Sequence, residues 1–146
     1  MKKLLLLVFL LILSLDVSAQ SEEEFQLAQE ALDSAIESFE KGEYESAWKI
    51  LSPYRELMDL TFEESDDTDM AFSYFNWLSE LNFLVDEYEL GRQYLNKAQK
   101  KSGEQNNFGE LDILYQQISE LSKQGRYKET IFLAEKAVIL AKNEYG

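Results

Sequence analysis

The chain has 146 residues, a formal net charge of −14, one proline, no histidine and no cysteine. These absences exclude disulfides, thiol nucleophiles, imidazole bases and nitrogen–sulfur zinc sites, so a folded domain must rest on apolar packing. So acidic a balance repels phosphate backbones and anionic lipid, and no basic stripe offsets it; a nucleic-acid partner is not expected.

In chain order, Lys2 and Lys3 precede an apolar run from Leu4 to Leu15, and Val17-Ser18-Ala19 sets small residues before Gln20. This is the layout of a secretory signal peptide, and the run is short of the ~20 apolar residues a spanning helix needs. The expected organisation is a signal over 1–19 and one helical domain over 20–146, with no stable membrane span after cleavage. No cysteine follows the run, so lipidation there is excluded.

Phe25, Ala28, Leu32, Ala35, Ile36 and Phe39 recur at three- and four-residue steps, which predicts an amphipathic helix, with Ser21 and Glu24 as its capping box. Gly42 ends it. The partner helix should run from Glu43 to about Phe62, with Pro53 kinking or dividing it. The polar run Glu63 to Asp69 reads as a loop whose tail, Asp66 to Asp69, caps the next helix. It lacks the alternating spacing and turn glycine of a helix–loop–helix calcium site, so a solvated loop is expected and no metal. Helices over about 70–85 and 87–101, a polar connector over 102–107, and helices over about 108–124 and 127–144 complete six helices in three hairpins. No strand is expected.

One phrase recurs through these hairpins: GEYESAWKILSPY from Gly42, DEYELGRQYLNKA from Asp86, and GRYKETIFLAEKA from Gly125. Each has a tight-turn residue, an aromatic two places later, then a small residue and an apolar pair. Tyr44, Tyr88 and Tyr127 are spaced about 44 and 39 residues apart, a period that marks helical repeats.

This pattern resembles the tetratricopeptide repeat family. The first unit, about 22–62, matches at Ala35, Gly42, Tyr44, Ala47 and Leu51, and departs at Tyr54. The second, about 70–102, matches at Ser79, Tyr88, Leu95 and Ala98, with Asp86 and Gly91 at the usual turn glycine and alanine. The third, about 108–146, matches at Gly125, Tyr127 and Ala137, with Thr130 and Ile118 replacing small residues. The resemblance implies an all-α, right-handed array of helical hairpins with a concave groove lined by the first helix of each. Carried over by position, the groove would hold Leu32, Ile36 and Phe39, then Asn76, Glu80 and Phe83, then Tyr115, Ser119 and Lys123. The same residues could instead cover the core.

Two further readings concern binding. Tyr74, Phe75, Trp77, Phe83, Tyr88 and Tyr94 crowd the second hairpin like a ligand box, but their helical spacing favours core packing. On the last helix Phe132 and Ile139 fall on the side of Lys128, Glu129, Glu135 and Lys136, so this face is expected to need a cover: a further repeat, a second copy, or a partner. No glycine-rich phosphate loop occurs, no cofactor is expected, and the many carboxylates fall where solvated helix faces belong. The expected function is a non-catalytic protein–protein interaction module exported to the periplasm or beyond. The alternative is the sensory part of a longer envelope protein, of which this chain would be a shortened relative.

Overall fold

The computed structural model describes residues 19–102 and 108–145. They are all-helical, with no strand among them: α1 Ala19–Glu40, α2 Tyr44–Leu51, a 3-10 turn Ser52–Tyr54, α3 Arg55–Glu63, α4 Thr68–Leu84, α5 Tyr88–Ser102, α6 Phe108–Lys123 and α7 Tyr127–Tyr145. The chain divides into two compact units, the first ending at Met70 and the second beginning at Ala71. The proposed signal segment, apart from Ala19, lies outside the described residues, as does the polar connector beyond Ser102.

In the first unit α1 packs along α2 and then α3. Ala28, Leu32 and Ala35 of α1, Ala47 and Leu51 of α2, and Met58 and Phe62 of α3 are all buried. The alanines recur at helical spacing, so the backbones approach without bulky side chains between them. Pro53 divides the second arm as expected: a proline inside a helix removes one backbone donor and crowds the preceding turn, and here that stretch tightens into the 3-10 turn. At the loop, Asp67 Oδ1 accepts the Met70 N–H at 3.0 Å and caps α4. The expected capping box at Ser21 is corrected. Ala19 and Gln20 are already helical, so Ser21 stands inside α1, not at its start.

The three hairpin turns share one geometry. Gly42, Asp86 and Gly125 are left-handed, with φ of 78°, 65° and 74°. The following residue donates back to the carbonyl five residues earlier in each case: Glu43 to Ser38 at 2.9 Å, Glu87 to Asn82 at 2.8 Å, Arg126 to Leu121 at 3.0 Å. That is the bond that closes a left-handed helix end and satisfies an orphan carbonyl. The next helix then starts alike, with Ala47, Gly91 and Thr130 donating to Glu43, Glu87 and Arg126. Asp86 is the exception in residue type. Its short carboxylate accepts hydrogen bonds from Tyr88 and Lys128, both at 2.8 Å, which helps hold a conformation that L-residues other than Asn and Asp rarely adopt.

In the second unit α4 and α5 interlock closely. Ser79 Oγ donates to the Gly91 carbonyl at 2.7 Å, with both residues buried. A Cβ on Gly91 would lie 2.7 Å from Cδ2 of Phe83, so the ring fills the space a side chain would need. Phe83 meets Tyr88 edge-on at 5.9 Å and Phe132 at 5.7 Å between ring centroids. Phe75 stacks on Tyr94 at 6.2 Å. These aromatics pack against one another, which places much of the crowded set in the core. Leu111 and Leu114 of α6 with Ala137 and Leu140 of α7 form a second cluster, joined by Ile118, Leu133 and Ala141.

Candidate interaction surfaces

In the first unit, Leu32 is buried in the α1 packing. Ile36 is half-buried, and the half-buried Phe39 stacks edge-on with Tyr44 at 5.3 Å across the turn. The expectation that Leu32 lines a groove is therefore corrected: one helical stripe cannot both seal the hairpin and present the same side chain outward.

In the second unit the positions taken from α4 and α6 behave differently. Phe83 is buried beneath Tyr88 and Phe132, so it too is corrected from groove to core. Asn76 and Glu80, one turn apart on α4, are half-buried. The Oδ1 of Asn76 is buried with no hydrogen-bond partner among the described residues. Burial pushes the Glu80 carboxyl above its ordinary value; Glu129 of α7 adds to the rise and Lys136 opposes it. Tyr115, Ser119 and Lys123 of α6 are all exposed, Tyr115 at 57%. Spaced four residues apart, they share one exposed face of α6.

The last helix has the largest correction. Phe132 is only 4% exposed, clustered with Phe83 and Leu95, and Ile139 packs against the same cluster. The expected uncovered face is covered within the unit, by α4 and α5. Charge follows the same side. Arg92 Nη2 meets Glu135 at 2.9 Å, and Lys128 Nζ meets Asp86 at 2.8 Å and the Leu84 carbonyl at 3.2 Å. Lys136 pairs with Glu110 of α6 at 2.8 Å. Lys128, Glu135 and Lys136, which read as a polar outer side, thus bridge to other segments of the unit, and the apolar pair among them points inward.

What α7 leaves exposed is a different set, which the periodicity argument missed: Tyr127 at 66%, Ile131 at 40% and Val138 at 49%. At 100° per residue these three fall within about 40° of one another. A signal was present in the sequence, since Tyr127, Ile131 and Val138 are large apolar residues at four- and seven-residue steps.

Among the described residues, no helix is long and apolar enough to cross a membrane, and no group of three or more acidic side chains converges as a metal site. No protein-family model matches the chain, and neither a curated protein nor a solved structure matches it.

Proposed function

We propose that the chain is an exported, non-catalytic interaction module of the cell envelope, built as a tetratricopeptide-like array. The observation that carries the repeat reading is the likeness of its three turns. Each has a left-handed residue, the same five-residue back-bond, and an aromatic two positions later at Tyr44, Tyr88 and Tyr127. Likeness of this kind favours one hairpin unit used three times over a bundle of unrelated helices.

Binding rests on α6, where Tyr115, Ser119 and Lys123 offer an aromatic, a hydroxyl and an ammonium along one exposed face. Such a mixed face suits a protein segment laid along it. The net charge of −14 favours a partner surface that is neutral or basic. Export rests on the Lys2-Lys3 start, the apolar run and the small residues before Gln20.

A photo-crosslinking amino acid at position 115, in the chain expressed with its own N-terminus, tests the reading. The expected result is a discrete crosslink to one envelope protein, suppressed by Lys123→Glu, on a chain whose mass shows loss of the leader. A chain that keeps its leader would contradict export. No crosslink from 115 or from 119 would contradict an α6 binding face.

A further inference from the structure

Two acceptors on one face of α4 lack donors. Asn76 and Glu80 stand one turn apart, and both are half-buried. Among the described residues, Asn76 Oδ1 is sealed from solvent with no hydrogen-bond partner, and no donor bonds the Glu80 carboxyl. The helix across from them is α7. Phe83, one turn beyond Glu80, meets Phe132, and Phe132 lies between Glu129 and Lys136 along α7. The Glu80 carboxyl therefore feels one anion and one cation of that helix, and both are engaged elsewhere. Lys136 Nζ is 2.8 Å from Glu110 of α6, and Glu129 accepts from Arg126 at 3.0 and 3.1 Å. A carboxylate in this place has lost water and gained no bonded cation, which is costly. A buried acceptor with no donor beside it is costly as well. One proton removes both costs. A neutral carboxyl carries a donor, and residues four apart on a helix are close enough to bond.

We propose that Asn76 and Glu80 form a proton-operated clasp between α4 and α7. Protonated, the Glu80 O–H donates to Asn76 Oδ1, and α4 presents a neutral, bonded pair to α7. Ionised, the carboxylate has no proton to donate and Asn76 Oδ1 is orphaned. The Glu80 and Glu129 carboxylates then oppose each other between the helices, while Lys136 is held by Glu110. The folded state thus binds the Glu80 proton more tightly than the unfolded chain does, so the clasp stabilises in acid. That contribution is lost as pH rises from the ordinary glutamate value through the raised one. The grip of α4 on α7 is therefore firmer in acid than at neutral pH. Asn82 Oδ1 is also buried without a partner among the described residues, but it belongs to no such clasp. It stands two residues from Glu80, and side chains two apart do not face each other on a helix. The clasp lies within the second unit and depends neither on the α6 face nor on export.

An NMR titration that follows the Glu80 carboxyl carbon and the Asn76 side-chain amide tests the clasp, on protein purified after expression of the full chain. The expected result is a Glu80 midpoint above the ordinary glutamate value, with the Asn76 amide signals moving at that same midpoint. Asn76→Leu separates bonding from burial. Leucine keeps the site dry but offers no acceptor, so the clasp predicts that the Glu80 midpoint falls, whereas desolvation alone predicts that it holds or rises. Glu80→Gln supplies a permanent N–H donor, and should make the Asn76 amide signals independent of pH over the same range. A Glu80 midpoint in the ordinary range overturns the proposal, as does one that holds or rises in Asn76→Leu. Wild-type Asn76 signals that ignore the Glu80 titration overturn it too, with no variant required to fold. The crosslink at position 115 reads α6, so its failure and the failure of this clasp are separate results.

Discussion

In the unit ending at Met70, α1 meets its partners across Ala28, Ala35 and Ala47, all with no exposed surface, whereas in the unit beginning at Ala71 the tight approach is made at Gly91 and filled by the ring of Phe83. Charged groups add to the definition of the second unit. In the first unit Lys41 pairs with Glu37, four residues earlier, at the exposed end of α1. In the second unit Arg92–Glu135, Lys128–Asp86 and Lys136–Glu110 each join different segments. Small side chains set helix distance but leave little to define which partner is correct; an interlocked aromatic backed by cross-helix pairs defines both. The first unit should therefore fail when overfilled and the second when hollowed.

Hollowing has the largest expected effect. Phe83→Ala removes a ring held between Tyr88 and Phe132, and should cost the second unit about 3–5 kcal/mol in denaturant unfolding. A loss below about 1 kcal/mol would break the contrast. Overfilling comes next. Ala35→Leu inserts atoms into a position with no exposed surface and should cost the first unit about 1–3 kcal/mol. Gly91→Ala asks the same question in the second unit, and the displaced Phe83 ring predicts a loss of about 1–3 kcal/mol. If Gly91→Ala proved neutral, the ring could yield and the interlock would be loose.

The smallest effect is electrostatic. A carboxyl held above its ordinary value binds its proton more tightly in the folded state, so Glu80 favours folding in acid. The advantage is lost as pH rises from the ordinary carboxylate range through the raised value of Glu80. Glu80→Gln should consequently raise the neutral-pH melting point by about 1–3 °C, with the gain vanishing in acid. A gain that persists in acid would place its cause elsewhere than in ionisation.

Much of the fold was legible because its signals are local. The helix ends, the division at Pro53, the Asp67 cap and the turns at Gly42, Asp86 and Gly125 depend on residues within a few positions of one another. The surfaces were harder to read, because periodicity gives an angle around a helix but not the neighbour that lies at that angle. The α7 helix has three apolar directions: Ala137 and Leu140 toward α6, Phe132 and Ile139 toward α4 and α5, and Tyr127, Ile131 and Val138 toward solvent. Lys128 and Glu135 looked like markers of an outer side only while their partners, Asp86 and Arg92, were out of view. Leu32 and Phe83 were misplaced for a related reason, since a position inferred from a concave groove carries no information on how tightly this chain closes its own hairpins.

The central structural claim is that neighbouring residues of α7 face opposite ways, Phe132 into the unit and Ile131 out of it. Thermal unfolding of Phe132→Lys beside Ile131→Lys tests it directly. Phe132→Lys, which forces a charge among Phe83 and Leu95, should destabilise the second unit by more than about 3 kcal/mol, while Ile131→Lys should change stability by less than about 0.5 kcal/mol. Equal losses, or the larger loss at Ile131, would contradict the arrangement of α7.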